Sequence, residues 1–227
     1  MSVLVLGDGL LGREIVNYTG WDYISRKKDN IEIDNFDKWM YKLSRYDVII
    51  NCIANTDTYS DDKESHIKVN YHFVKYLVKY CNEMGKKLVH LSTDYVYANS
   101  DNERKETDVP VHHSSWYGYS KLLGDAHVEF ECDKFLIARL SHKPYPFPYE
   151  NAWSDVITNA DYTPKIVELL YNLIINFATG IYNIGTDRKT IFELALESKE
   201  VKPIKSPNKV PKNVTMNLEK LLKDLQV

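Results

Sequence analysis

Cysteine is scarce in this chain: Cys52, Cys81 and Cys132 are three in 227 residues, far apart and without a C-x-x-C pair. An odd, sparse set argues against a disulfide framework and fits a reducing compartment, so the expected location is cytoplasmic. Glycine and proline, nine and eight residues, are too few for a collagen-like or low-complexity chain. Positive charge is in deficit. A formal net charge of -3 leaves no basic surplus to hold nucleic-acid phosphates. No run of about 18 apolar residues exists, which argues against a membrane span. The longest apolar region, residues 166–184, is broken by Glu168, Asn172 and Asn176. The apolar start at residues 1–6 has no basic flank and meets Asp8 almost at once, so it does not read as a signal peptide.

What remains is ordinary globular composition, 44% hydrophobic and 27% charged, enough for one sizeable core or one core plus a small lobe. Short apolar runs at residues 2–6, 22–24, 48–50, 87–91, 134–139 and 180–184 alternate with helical patterns at 10–18, 36–44, 64–83 and 115–130. Strands that are nearly continuous in Val, Ile and Leu are those buried on both faces. The pattern predicts an α/β fold with a doubly wound, Rossmann-type parallel sheet. In 64–83, Ile67, Phe73, Leu77 and Cys81 fall near one helical face. Residues 99–107 are polar and read as a surface loop. Pro144, Pro146 and Pro148 exclude a regular helix there and are expected to open a small, trimmed C-terminal lobe. The expected division is 1–140 for the dinucleotide-binding core and 141–227 for a mixed region, with the last core elements interleaved at about 162–186. A proline-marked loop at 202–212 precedes a short terminal helix at 217–225.

The first strand runs into Gly7-Asp8-Gly9-Leu10-Leu11-Gly12 and then a helix. Gly7 suits the tight turn, Gly9 lets a pyrophosphate approach the backbone, and Gly12 lets helix and strand pack closely. The helix N-terminus offers free N–H groups to the phosphates. At the end of the second strand, where an NAD site places an acid for the ribose diol, stand Ser25 and Arg26, followed by Lys27 and Lys28. A hydroxyl and a guanidinium suit a 2′-phosphate, which points to NADP(H) over NAD(H). The same run also reads as a solvated basic loop. Asp34 follows the next apolar pair and is expected beside the adenine.

Tyr117 and Lys121 form Tyr-x-x-x-Lys at a helix start, one turn apart on one face. A lysine beside a phenol lowers its pKa, which would make Tyr117 a general acid near neutral pH. Thr93 follows a buried strand at its carboxyl end, where open α/β sheets bind ligands, and its hydroxyl can bond a substrate carbonyl.

These residues resemble the extended short-chain dehydrogenase/reductases, specifically the dTDP-4-dehydrorhamnose reductase branch. The resemblance runs through the glycine motif, Asn51 with Ala54, Val69-Asn70, and the most specific string, Ser92-Thr93-Asp94-Tyr95-Val96-Tyr97. It continues through Tyr117 to Lys121, the Gly180–Gly185 strand and the closing Val210-Pro211 to Leu221 pattern. It implies an NADP-dependent oxidoreductase that reduces the C4 keto group of a nucleotide-activated 4-keto-6-deoxy sugar, in deoxysugar biosynthesis. Thr93, Tyr117 and Lys121 would be catalytic. Gly9, Leu10, Leu11, Asp34, Ile53, Ala54 and Leu91 match cofactor-contact positions, with Tyr117 and Lys121 also reaching the cofactor. Asp94 matches a substrate contact. The chain departs from the branch at Arg139-Leu140-Ser141-His142, where relatives carry Arg-Thr-Ser-Trp with the tryptophan beside the sugar. His142 thereby becomes a candidate substrate contact. The stretch that follows is also shorter than usual, and a second copy of the chain, as a homodimer, could complete the wall.

Two other readings share the fold. A sugar-nucleotide dehydratase would carry a glutamate where Tyr95 stands, and a GDP-sugar epimerase-reductase a cysteine in the same segment. A regulatory subunit could bind NADP without catalysis, against which Thr93, Tyr117 and Lys121 are retained. His112-His113 lacks companion ligands at metal spacing, so no metal is expected. Ser92 lacks the Gly-x-Ser-x-Gly surroundings of a nucleophile.

Overall fold

The structure, a computed structural model, describes residues 1–98, 103–108 and 115–226. The elements follow in chain order as β1 (Val3–Leu6), α1 (Leu10–Thr19), β2 (Asp22–Ile24), α2 (Arg26–Asp29), α3 (Phe36–Trp39) and β3 (Val48–Asn51). Next come α4 (Lys63–Ile67), α5 (Phe73–Glu83), β4 (Lys87–Leu91), α6 (Trp116–Glu131), β5 (Phe135–Leu140), β6 (His142–Lys143), β7 (Asn151–Trp153), β8 (Ile157–Thr158) and β9 (Asp161–Tyr162). The last are α7 (Thr163–Ile175), β10 (Gly180–Ile184), β11 (Lys189–Thr190), α8 (Ile191–Leu196), β12 (Lys202–Ile204) and α9 (Glu219–Leu225).

Six strands form one parallel sheet in the order β10-β5-β4-β3-β1-β2. The chain leaves β1 toward β2 and then returns to lay β3 on the other side. This reversal is the switch point at which open α/β sheets bind ligands, at the carboxyl ends of the strands. The strand residues sort by a period of two. Leu4, Leu6, Ile49, Leu88, Ile137 and Ile181 face one layer, with Phe36, Phe73, Leu77 and Cys81. Val3, Val5, Val48, Ile50, Val89, Leu136 and Ile184 face the other, with Leu11, Ile15, Ile166, Leu170 and Leu221. Each such buried side chain contributes about 1.5–3 kcal/mol relative to exposure, and the two-sided burial is why the runs read as continuous hydrophobes.

The helix expected at 64–83 is one helical run that changes gauge. Between α4 and α5, Lys68–His72 forms a π turn, which brings Asn70 into the interior. The Asn70 amide donates to Asn55 O (3.0 Å) and Ser120 Oγ (2.9 Å), and its carbonyl accepts from Asn55 N (2.8 Å). α6 crosses this turn at Gly124, where a Cβ would lie 2.5 Å from Asn70 O. The close crossing sets α6, and with it Tyr117 and Lys121, against the sheet.

Some elements differ from the sequence reading. The expected 36–44 helix is α3 followed by a 3₁₀ turn at Met40–Leu43. Residues 26–29, read as site or solvated loop, form the one-turn helix α2. The apolar region 166–184 is α7 and β10, and α8 was not anticipated. Of the polar loop expected at 99–107, residues 99–102 lie outside the described residues and the rest is tied down: Asn183 N donates to Glu106 Oε1 (3.0 Å) and Asn183 Nδ2 to Arg104 O (2.9 Å). After β5 the chain builds a separate hydrophobic cluster from Phe147, Ala152, Val156, Ala160, Tyr162, Ile191, Leu194, Ala195 and Val210. Three two-stranded pairs, β6–β9, β7–β12 and β8–β11, frame it. Among the described residues, no helix is long and apolar enough to cross a membrane.

Candidate functional site

The turn after β1 has the geometry its glycines predict. Gly7 has φ +95°, a backbone region that L side chains rarely adopt, and its N–H donates to Ile24 O (2.8 Å). A Cβ on Gly12 would lie 2.2 Å from Gly7 O, so α1 can start only if that position is bare. A Cβ on Gly9 would meet nothing within 4 Å, because Gly9 faces open space at the N-terminus of α1. Among the described residues no side chain caps that terminus, and its N–H groups remain available to an anion.

Across the cavity, Thr93 stands just past β4 and caps the 3₁₀ turn Asp94–Tyr97, its hydroxyl accepting from Tyr95 N and donating to Asp94 Oδ1 (each 3.2 Å). Ser115 caps α6 by accepting from Gly118 N (3.2 Å), which fixes Tyr117 in the first turn. A cavity of about 410 Å³ joins these parts, lined among others by Gly9, Leu10, Leu11, Gly12, Ala54, Leu91, Thr93, Asp94, Tyr117, Lys121, His142 and Lys143. The residues proposed from sequence as catalytic and as substrate contacts thus share one chamber with the glycine turn.

Not every expected residue lies there. Ile53 packs beneath the glycine turn, its Cγ1 3.2 Å from where a Gly7 Cβ would be. Ser25 is buried and caps α2, accepting from Lys28 N (3.1 Å), while Arg26 is exposed and makes no ion pair among the described residues. Asp34 is ion-paired with Lys68 (2.5 Å) and lines a second cavity with Ile33 and Ile67. His112-His113 lies outside the described residues, among which no group of three or more His, Cys, Asp or Glu could hold a metal.

The electrostatics correct one expectation. Tyr117 is not acidified by Lys121. Burial pushes the phenol up to about 12, and interaction with the Thr93 hydroxyl only partly offsets this. The Lys121 ammonium is turned instead toward Leu91 O (2.6 Å), and burial brings it down to about 8 against the opposing pull of Asp125. Helical spacing put the two side chains on one face but could not show that a strand carbonyl would compete for the ammonium.

Burial also raises the Asp94 carboxyl from 3.8 to about 6, opposed by Lys143 and by hydrogen bonds from Thr93, Ser141 and Thr158. Its folded-state value lies above its unfolded one. The stability it lends is therefore full below about pH 3.8 and is lost as pH rises through about 6. At neutral pH the ionised group costs on the order of 2–3 kcal/mol, at about 1.4 kcal/mol per pH unit. Asp94→Asn is accordingly expected to raise the urea midpoint at pH 8 and to change it little at pH 4. Equal midpoints for both proteins at pH 8 would contradict this.

The family described as RmlD substrate binding domain matches residues 1–143. The chain belongs to this family. A dTDP-4-dehydrorhamnose reductase of Shigella flexneri is 36% identical over 103 residues, 44% of this chain and 34% of the relative. The chain thus spans about a third of that curated relative's length. Among solved structures, a hypothetical dTDP-4-dehydrorhamnose reductase from Sulfolobus tokodaii superposes with a TM-score of 0.83 at 25% identity, covering 98% of this chain and 94% of that one. The dTDP-4-dehydrorhamnose reductase of Bacillus anthracis in complex with NADP shares the fold, with a TM-score of 0.82 at 20% identity over 100% of this chain and 98% of that one.

Within this RmlD-family frame, several polar residues around the site make contacts that the sequence reading did not assign them. Tyr95 bonds Tyr59 hydroxyl to hydroxyl (3.0 Å), and burial raises its phenol far above the ordinary range. Beneath the cavity, Asn51, His90, Asp125 and Arg139 form a buried polar chain: Asn51 Nδ2 to His90 Nδ1 at 3.3 Å, His90 Nε2 to Asp125 Oδ1 at 3.7 Å and Arg139 Nε to Asp125 Oδ2 at 3.1 Å. Arg139 also donates to the Tyr97 hydroxyl. The signal was present, since charged residues inside strand or helix patterns are seldom fully buried unless paired.

Proposed function

We propose that this chain reduces the C4 keto group of a nucleotide-activated 4-keto-6-deoxy sugar with NADPH. The observation that carries the reading is the convergence of Thr93, Tyr117 and Lys121 on one cavity with the bare glycine turn at the sheet's switch point. The site fits a dinucleotide: Gly9 leaves space where a pyrophosphate would lie, and the uncapped start of α1 supplies donors. The nicotinamide, when bound, supplies the hydride. Thr93 orients the carbonyl oxygen by turning its hydroxyl proton from Asp94 Oδ1 to the substrate. Tyr117, whose raised pKa keeps it protonated, donates the proton to the new alkoxide. Lys121 would hold the ribose hydroxyls and Leu91 and Ala54, which line the same cavity, would contact the ring, while Asp34 and Ile53 would serve the adenine end. Asp94 and His142 address the sugar. A dehydratase reading is disfavoured, because Tyr95, buried and with its phenol pKa raised, is a poor base for proton abstraction.

Loss of NADPH absorbance with dTDP- and UDP-4-keto-6-deoxy sugars, with product NMR at C4, tests the reading. NADPH binding without turnover on any of them, before or after 3,5-epimerisation, would favour the non-catalytic regulatory subunit instead.

Cofactor choice has its own test. Arg26 is exposed at the end of β2 and makes no ion pair among the described residues, whereas Ser25 is buried as the cap of α2. A charge-assisted contact to the 2′-phosphate is worth about 1.5–3 kcal/mol, tenfold or more in affinity. NADPH is expected to bind more tightly than NADH by about that factor, and Arg26→Ala to remove most of the difference in a fluorescence titration. Equal affinities in the parent protein would overturn the preference.

A further inference from the structure

Two rings from different segments meet Tyr117 edge to face. The Ser115 cap fixes the backbone of the first turn of α6, but a tyrosine still turns about the bond to its ring, where the torsional preference is broad. In the reaction proposed above, Thr93 turns its proton to the substrate, and the Lys121 ammonium is directed at Leu91 O (2.6 Å). The aim of the phenol during proton transfer is therefore left to what touches its ring. Tyr95 meets it with centroids 5.8 Å apart and planes at 71°. His66 of α4 meets it at 6.4 Å and 62°. Both neighbours are anchored. Tyr95 N donates to Thr93 Oγ1 (3.2 Å), and its hydroxyl bonds that of Tyr59 (3.0 Å), which packs against the hydrophobic cluster of the small lobe. His66 is 0% exposed, in a helix whose start Asp62 caps by accepting from Ser65 N (3.0 Å). Among the described residues neither imidazole nitrogen has a hydrogen-bond partner. A neutral imidazole brings a donor and an acceptor, and burying both unpaired is unfavourable. No polar network accounts for a histidine here. The ring it does touch is that of Tyr117.

We infer that His66 and Tyr95 are positioning residues, which hold the Tyr117 ring so that its hydroxyl meets the C4 oxygen, and that Tyr59 ties this hold to the seating of the small lobe. The inference rests on the ketoreductase reading above and adds how its acid is aimed. Edge-to-face contacts set the plane of a ring as well as its place. A displacement of about 1 Å at a reacting group costs on the order of 10²-fold in rate. His66 is not among the residues that line the cavity, so it acts through Tyr117 and not on the substrate. Its loss should therefore fall on kcat and spare KM and cofactor affinity.

The hold is read first without turnover, by NMR of protein whose tyrosines are isotope-labelled at the ring ε carbons, with Tyr117 assigned by its absence in Tyr117→Phe. The parent should give two separate ε signals for Tyr117, the mark of a ring that flips slowly, and His66→Ala one averaged signal. Kinetics with NADPH and a nucleotide-linked 4-keto-6-deoxy sugar follow. His66→Ala is expected to lower kcat by about 10–100-fold at nearly unchanged KM. His66→Phe restores a ring and should recover most of kcat, while raising the urea midpoint because no unpaired nitrogen is left buried. Tyr59→Phe and Tyr95→Phe should each lower kcat several-fold and the double variant no further, since all three break the same bond. A single averaged signal in the parent overturns the inference. So does parental kcat in His66→Ala, a rise in KM alone, or a His66→Phe as slow as His66→Ala. A parent that turns over no such sugar removes the ketoreductase reading, and the ring signals then decide the hold by themselves.

Discussion

Replacing Tyr117 by phenylalanine is expected to lower turnover by about 10²–10⁴-fold, the usual contribution of a positioned general acid, and to leave NADPH binding almost intact. The phenol is held near 12 by burial, which at neutral pH keeps the proton in place until an alkoxide, a much stronger base, forms beside it. Thr93 is the group that steadies the hydroxyl, so Thr93→Val should also reduce turnover, and more for poor substrates that depend on carbonyl orientation. Lys121→Ala should differ in kind, weakening cofactor binding together with turnover, because its ammonium is buried and fixed on Leu91 O. The decisive measurement is single-turnover kinetics with NADPH deuterated at C4, which isolates the chemical step. Near-parental rates in Tyr117→Phe with a full isotope effect would remove Tyr117 from the mechanism.

How far the sequence spoke depends on whether an interaction is local. The glycine turn, the Tyr117–Lys121 pair and the strand preceding Thr93 are local patterns, and the structure brings them into one cavity. The six strands of the main sheet were legible because two-sided burial leaves a continuous apolar signature. Interactions between distant segments were not. Nothing near Lys121 announced that Leu91 O, thirty residues away, would take its ammonium. The π turn at Lys68–His72 was hidden for a related reason. Its extra residue is stabilised by Asn70 reaching Asn55 and Ser120, contacts that exist only once α6 has crossed at Gly124. The small elements after β5 were illegible because two- and three-residue strands carry too little periodicity to register.

Arg139→Met is expected to destabilise the protein by about 3–5 kcal/mol, the cost of leaving one member of a buried ion pair without its partner. Arg139 and Asp125 are 2% and 1% exposed, too deep for water to compensate either charge. Asp125 has one oxygen on Arg139 Nε (3.1 Å) and the other without a hydrogen bond, facing His90, whose protonated form is strongly disfavoured by burial and by Lys121. Among the described residues no other side chain donates a hydrogen bond to Asp125. Replacing both charges, Arg139→Met with Asp125→Leu, should recover much of the loss, since well-packed apolar groups often serve as well as a buried pair. Activity should not recover with it. Asp125 opposes the burial that lowers Lys121 to about 8, so without Asp125 the ammonium titrates at a lower pH. If the charged form of Lys121 is the one that holds the ribose, activity falls as pH rises through that value. The alkaline limb of kcat/KM should then shift to lower pH in the double variant, while the urea midpoint moves back toward the parent. A double variant as stable as the parent whose pH profile is unchanged would show that Asp125 serves only the fold. One in which stability does not return would show that the pair is held by more than its two charges.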